Sequence, residues 1–387
     1  MRIIYPVSER IDFSRARFHQ ILQTVHALVQ IGCVIDLLTG ESRNHVEKDI
    51  LPYYGLAPHK NLQIYHVPIL ETRRNWLVHL SWDRVFYTGA LLKIRNLQRQ
   101  GGYTAIYLRH LGLADFLLRW RNWFKMPIVF EAHEVFHLTT DRPGKARQIK
   151  EQEKRVYKHL DGVIAISEGL AEHLQELFSI HVPMEVIPDG VNLDFFRIKR
   201  DIFEKGKIIC VSHLYPWKGV DILIQAMSYL PEWRLHLVGG GKKEIEELKK
   251  MAKKLGVNDQ IVFHGQVSLY QVREQLANAQ VAVLPFTKKN IAARYSSPLK
   301  LFEYMAAALP IVASDLPSIR EILQDGVNAI LVEPENPQAL AEGIRRISSA
   351  EIMMKLSHKA AEDAQKFTWK MRAERIFRFL EKIKTRK

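Results

Sequence analysis

Short apolar runs separated by helix-length segments recur along this chain of 387 residues in two successive series. The first holds RIIYP (2–6), CVIDLL (33–38), LQIYHVPI (62–69), TAIYLR (104–109), PIVFEAH (127–133), GVIAIS (162–167) and MEVIP (184–188). The second holds KIICVS (207–212), RLHLVG (234–239), QIVFHG (260–265), VAVLPF (281–286), PIVAS (310–314) and AILV (329–332). Strands covered on both faces are apolar almost throughout, and strands that alternate with helices build parallel sheets. Helices are expected between the runs, for example over 14–31 and 145–160. The pattern predicts an α/β protein of two Rossmann-like doubly wound domains. They are expected to face each other across a cleft, at the carboxyl ends of their strands, where such sheets bind ligands. Residues 188–207 carry turn chemistry and mixed charge, so the domains are expected at 1–196 and 197–368. From about Thr368 a basic amphipathic helix is expected, with Met371, Ile376, Phe377, Phe379 and Leu380 as apolar anchors.

Composition narrows the setting. With 47% hydrophobic and 25% charged residues, no apolar run approaches the ~18 residues of a membrane span. The start, MRIIYPVSERIDF, has no long apolar core of a signal peptide and reads as a first strand. Cys33 and Cys210 sit in separate apolar runs, as small buried residues rather than a disulfide or metal pair. A reducing, cytoplasmic location is expected. The net charge of +14 is concentrated: residues 51–150 carry 15 Lys and Arg against 6 Asp and Glu, and residues 366–387 carry 9 against 2. RRNWLVHLSW (73–82) and LLRWRNWFKM (117–126) interleave Trp with cations, which suits an anionic membrane surface with the protein peripheral to it. A merely basic, solvated surface is the other reading. No nucleic-acid recognition module appears, so no nucleic-acid partner is expected.

The segment RYSSPLKLFEYMAAALPIVAS (294–314) reads as an anion-binding helix start. Ser297 suits the N-cap and Pro298 the first helical position, which leaves the amides of Leu299 and Lys300 as the first free donors. Lys300 and Glu303, three apart, share one side of the helix. A diphosphate at the mouth and hydroxyls against Glu303 would make a nucleotide-sugar site; an ordinary capped helix is the other reading. In SHLYPWKG (212–219), His213 and Lys218 stand between a strand and a helix, and Lys218 offers a cation to phosphate oxygens. Gly239 opens a run of three glycines, suited either to close approach of a ligand or to a tight turn. The backbone of IVFHGQV (261–267), through Val267, could pair with a planar base. His133, in EAHEVF, ends a strand where it can bond a sugar hydroxyl. Arg15, Arg17 and Arg109 could meet an anionic acceptor, or could simply be solvated. There is no HExxH, no zinc spacing, no GxSxG and no GxGxxG after the first strand, which argues against zinc hydrolases, α/β-hydrolases and nicotinamide dehydrogenases. The absence of a DxD triplet favours a site with no metal.

Taken together, these motifs resemble those of the family 4 retaining glycosyltransferases of GT-B fold, most strongly over 212–333. The resemblance implies that Lys218 matches the lysine set against the donor diphosphate, with His213 in the place of an arginine. It implies that Glu303 meets the donor ribose as the second Glu of a Glu-x7-Glu signature, whose first position here is Tyr295. The amides after Ser297 and Pro298 match those that hold the diphosphate, and His133 matches a sugar-facing histidine. The helix over 369–387 resembles the element that returns to the first domain. The same resemblance implies a retaining, metal-independent transfer from a nucleotide-diphosphate sugar, with no other cofactor. The acceptor would be a glycan or lipid-linked precursor in cell-envelope polysaccharide or glycoconjugate synthesis. The alternatives are a catalytically idle nucleotide- or glycan-binding scaffold and a nucleotide-sugar epimerase of the same fold.

Overall fold

The computed structural model describes residues 1–10, 16–40, 51–52, 54–68, 82–140, 142–198, 203–289 and 292–385. These form two compact units, Met1–Pro188 with Trp369–Lys387, and Asp189–Thr368. The first unit is built on β1 (Arg2–Arg10), β2 (Val34–Gly40), β3 (Leu62–Val67), β4 (Tyr103–Leu108), β5 (Ile128–Ala132), β6 (Gly162–Ala165) and β7 (Met184–Val186). Its sheet runs β3-β2-β1-β4-β5-β6-β7 with every recorded pair parallel. The second is built on β8 (Lys207–Val211), β9 (Arg234–Val238), β10 (Ile261–Gly265), β11 (Val281–Leu284), β12 (Ile311–Ser314) and β13 (Ile330–Val332). Its parallel order is β10-β9-β8-β11-β12-β13. Each apolar run therefore forms a strand. In both sheets the order reverses once, between β1 and β4 and between β8 and β11, and such a reversal opens a crevice beyond the carboxyl ends of the strands.

The strands are apolar because both faces are covered. Successive side chains of a strand point to opposite faces. Ile208 and Cys210 of β8 accordingly join one buried cluster, and Ile209 and Val211 the other. β11 divides in the same way, with Val281 and Val283 on one side and Ala282 and Leu284 on the other. Both cysteines are free and buried, and burial pushes the Cys210 thiol up to about 12.

Residues 189–196 pack in the second unit: Val191 and Phe196 lie in its core, and Val191 N donates to Phe367 O at 2.8 Å. The division thus falls before the 196/197 boundary read from turn chemistry. The helix Trp369–Lys384 belongs to the first unit. Its buried stripe is Trp369, Ala373, Ile376, Phe379, Leu380 and Ile383, spaced for one helical face. Met371, expected as an anchor, is 40% exposed, and Phe377 is only partly buried, because both lie off that stripe. At Gly162 a Cβ would stand 3.0 Å from Ile383 Cδ1 and 3.1 Å from the Phe379 ring, so the helix sits directly on β6. Among the described residues, no helix is long and apolar enough to cross a membrane. Phe379→Ala should cost the first unit about 3–5 kcal/mol through the cavity it leaves. Hydrogen–deuterium exchange should then rise in β5–β7 and stay unchanged in β8–β12; unchanged exchange in β6 would refute the packing role.

Candidate functional site

Beyond β8 the chain enters the loop Ser212–Gly219, which ends in a 3-10 turn over Pro216–Lys218. Gly219 takes φ +66°, and a Cβ on it would meet Pro285 O at 1.8 Å, so only glycine lets the loop lie against the chain leaving β11. Thr287 N donates to Trp217 O at 3.1 Å and fixes that approach. Lys218 Nζ then lies 3.8 Å from the centroid of Trp217 and 4.1 Å from that of Phe286. A ring face attracts a cation by roughly 0.5–2 kcal/mol, much less than a hydration shell offers. Burial accordingly pushes the Lys218 ammonium down to about 7, opposed only by Cys210. Among the described residues no carboxylate pairs with it. His213 stacks on Tyr215, with centroids 5.7 Å apart. Its pKa is lowered by burial first, and then by Lys218 and Lys300, which places all three groups in one electrostatic neighbourhood.

Lys300 belongs to the helix Leu299–Ala306. Pro298, rather than Ser297, is its N-cap, with ψ 116° and no side-chain cap. Ser297 is thereby moved one position outside, and its Oγ accepts from Asp189 N at 3.1 Å instead of capping. Leu301 N turns back to Pro298 O at 2.9 Å, while the amides of Leu299 and Lys300 have no acceptor within the helix. Val211 N donates to Tyr304 Oη at 2.8 Å, which ties this helix to the end of β8. Glu303 is buried, and Lys300 Nζ reaches its two oxygens at 3.0 and 2.8 Å. Burial raises the Glu303 pKa, and Lys300 opposes that rise. Tyr295 is only 1% exposed, a core residue rather than a surface one. Gly239 takes φ +106°, and a Cβ there would meet Ser212 O at 2.2 Å, so the glycine serves close passage of the two loops. Val267 lies after β10, partly buried against the core that holds Leu301 and Tyr304.

In the first unit, His133 comes just after β5. Its Nε2 lies 2.5 Å from Glu131 Oε1. The same oxygen accepts from Gln20 Nε2 at 2.8 Å and faces Arg372 Nη2 at 2.8 Å. Arg109 donates to the other end of Gln20. Burial alone would raise the Glu131 pKa, but Arg372, His133 and Gln20 outweigh it and hold the carboxyl at about 2. Arg17 is exposed. Burial lowers the pKa of His110 to about 4, helped by Arg17 and Arg109, so both arginines lie near it. His110 itself caps the helix Leu111–Arg119, its Nδ1 accepting from Leu113 N. Arg15 lies outside the described residues, as do all of 73–81. Within 117–126, Trp120 is 40% exposed, its ring 4.7 Å from that of Trp123, and Arg95 lies 4.4 Å over Trp123. Among the described residues, no three His, Cys, Asp or Glu side chains converge to hold a metal.

Sequence reasoning missed three of these residues. Glu131 stands in the EAHE segment but reads as part of an apolar strand, Arg372 reads as one cation among many, and Tyr304 reads as core. Ser297→Ala should remove one hydrogen bond, about 1 kcal/mol, from the second unit. Urea unfolding measures it, and an unchanged midpoint would show that the Asp189 tether is dispensable.

Two family models match the chain, "Glycosyl transferases group 1" over residues 194–367 and "Glycosyltransferase Family 4" over residues 19–195. A D-inositol 3-phosphate glycosyltransferase of Xylanimonas cellulosilytica is 23% identical over 349 residues, covering 83% of this chain and 80% of that protein. Among solved structures, a sucrose-phosphate synthase from Thermosynechococcus elongatus aligns over all of both chains with TM-score 0.79 and 18% identity. Anabaena HepE in complex with UDP aligns over 99% of this chain and 100% of its own, with TM-score 0.76 and 16% identity. At those identities the structural likeness bears on the fold alone.

Proposed function

The chain belongs to the group 1 and family 4 glycosyltransferases of GT-B fold, and from that premise we propose which transfer it performs and with which residues. The donor is a nucleotide-diphosphate sugar. The observation that carries this reading is Lys218, a cation laid on two aromatic rings with no carboxylate paired to it among the described residues. A diphosphate supplies the missing anion. HepE is described in complex with UDP and with UDP-glucose, which supports the same ligand class here.

Lys218, His213 and the amides of Leu299 and Lys300 stabilise the charge that develops on the departing diphosphate. Ser297 and Pro298 hold that helix start in place. Glu303 accepts from ribose hydroxyls, Gly239 and Val267 border the nucleotide, and His133 bonds the sugar. The transfer retains configuration: the acceptor oxygen attacks the face the diphosphate leaves, and a phosphate oxygen takes its proton. The engagement of Glu303 with Lys300 supports this route, because it leaves that carboxylate as a binding group rather than a nucleophile. Lys218 and the helix amides supply the charge that a divalent ion would otherwise bring, so the reaction is metal-independent and needs no further cofactor. The acceptor is a glycan or lipid-linked precursor of an envelope polysaccharide or glycoconjugate, received by Arg15, Arg17 and Arg109. The exposed Trp120 beside Arg119 and Arg121 would meet an anionic membrane surface, on the cytoplasmic side.

Lys218→Ala should weaken UDP-glucose binding by about tenfold to a hundredfold, the loss of a charge-assisted bond of about 1.5–3 kcal/mol. Glu303→Gln should weaken it less. Calorimetry that finds both variants unimpaired would remove the donor assignment. Lys218 also sets the sign of the pH dependence. Free, it loses its proton near 7, and the diphosphate raises that value, so binding takes up a proton above neutrality and affinity falls as pH rises. A flat profile in wild type would contradict the role given to Lys218. Flotation with anionic vesicles, lost on adding salt, is expected of the full chain; flotation equal with neutral vesicles would exclude the electrostatic contact.

A second reading is favoured by one observation: the first position of the signature is Tyr295, which is buried in the core and brings no carboxylate. On it the protein binds a nucleotide sugar without turning it over. Tight UDP-glucose binding with no UDP release over long incubation, with and without glycan acceptors, would decide for that scaffold.

A further inference from the structure

Arg372 is 2% exposed and Glu131 is fully buried. A buried ion pair is a weak stabiliser, since desolvating both charges offsets their attraction. This one is nevertheless heavily built. Arg372 Nη1 donates to the carbonyls of Ile187 and Pro188 at 2.6 and 2.8 Å, and Nε donates to Thr24 Oγ1 at 3.3 Å. Its remaining nitrogen lies 2.8 Å from Glu131 Oε1, the same oxygen that faces His133 Nε2 at 2.5 Å. Gln20 is the third group on that oxygen and is itself held by Arg109. Arg372 and His133, with Arg109 one step removed through Gln20, are thus the charged and titratable groups recorded around this carboxylate among the described residues.

We infer that Arg372 is a positioning residue for His133: by neutralising Glu131, it keeps His133 a neutral imidazole that donates from Nε2 and carries its lone pair on Nδ1. The chemistry is that of three partners around one anion. A carboxylate accepts only, so the nitrogen that faces it bears the proton, and this fixes the tautomer. A carboxylate left alone beside an imidazole draws a second proton onto the ring, because the opposite charge favours the imidazolium. With the guanidinium already on Glu131, that pull is spent. Arg372 is the largest of the groups that offset burial and hold the Glu131 carboxyl at about 2, so the carboxylate is an anion at neutral pH. The helix Trp369–Lys384 thereby sets the state of a side chain on β5's carboxyl end. This inference rests on the proposed contact of His133 with the sugar for its meaning, though not for its test.

The test is NMR of the full chain with labelled histidine, the His133 signal among 16 histidines being identified by its loss in His133→Gln. Wild type should show the Nε2–H tautomer at neutral pH. Arg372→Met should raise the His133 midpoint by about one to two pH units, the effect of an unmasked neighbouring charge. Arg372→Lys, which keeps the charge, should bring it back toward wild type, and Glu131→Gln should shift it the other way. A merely structural arginine would move none of these in that order. A His133 midpoint unmoved by Arg372→Met overturns the inference, as does a wild-type His133 that is imidazolium at neutral pH. Should Arg372→Met not fold, Glu131→Gln and Arg372→Lys decide it alone: a midpoint that Glu131→Gln does not lower, or that Arg372→Lys raises as a lost charge would, is equally fatal. Failure of the underlying reading looks different: His133→Ala would release UDP from UDP-glucose as fast as wild type, while the Arg372 effect on the titration stood.

Discussion

Gly219 lies so near the Pro285 carbonyl that any side chain on it would collide, and the second unit's chemistry descends from that closeness. It brings the loop after β8 against the chain leaving β11, on the two sides of the point where the strand order reverses. Trp217 and Phe286 then meet edge on, with centroids 5.8 Å apart, and Lys218 lies over both. The aromatic floor offers the partly buried lysine no counter-charge. The Tyr304 hydroxyl, bonded to Val211 N, keeps the helix Leu299–Ala306 at the end of the same strand.

The two units handle buried charge in opposite ways. Around Glu131, a guanidinium, an imidazole and an amide converge on one oxygen, so the anion is compensated by the protein's own groups while its second oxygen has no hydrogen-bond partner among the described residues. Around Lys218 the protein provides rings only. The first arrangement brings countercharges from the protein itself; the second brings none among the described residues. A group meant to keep one protonation state needs the former, and a group meant to capture a charged ligand needs the latter. Glu303 stands between these limits, buried but engaged with a lysine that is itself only partly buried, so it can exchange one partner for another.

The fold was legible because each strand is covered on both faces, and that condition writes itself into the sequence as an unbroken apolar run. The positions of His133, His213 and Lys218 beyond strand ends were legible for the same reason, since they stand where the runs stop, whereas Glu303 was legible from its three-residue spacing to Lys300 within one helix. Ser297 misled because serine before a helix is the usual cap. The proline after it takes the cap position itself, and a proline disfavours the helical conformation in the residue before it. Tyr295 could not be read as buried, since the exposure of a tyrosine next to a loop depends on what packs over it. The partnership of Glu131 and Arg372 was out of reach altogether. It joins residues far apart in the sequence, and nothing local marks one arginine among the nine Lys and Arg of residues 366–387 as the buried one.

The helix Trp369–Lys384 completes the first unit from beyond the second, and this sets an order of events during synthesis. All of Asp189–Thr368 leaves the ribosome before Trp369 does, so the second unit has its entire sequence while the first still lacks a helix. Until that helix arrives, β6 presents Gly162 and its neighbours uncovered, and Glu131 has no guanidinium. A nascent chain at this stage carries an exposed apolar surface beside an uncompensated carboxylate, the kind of surface on which chaperones act. The first unit, begun earliest, is finished last.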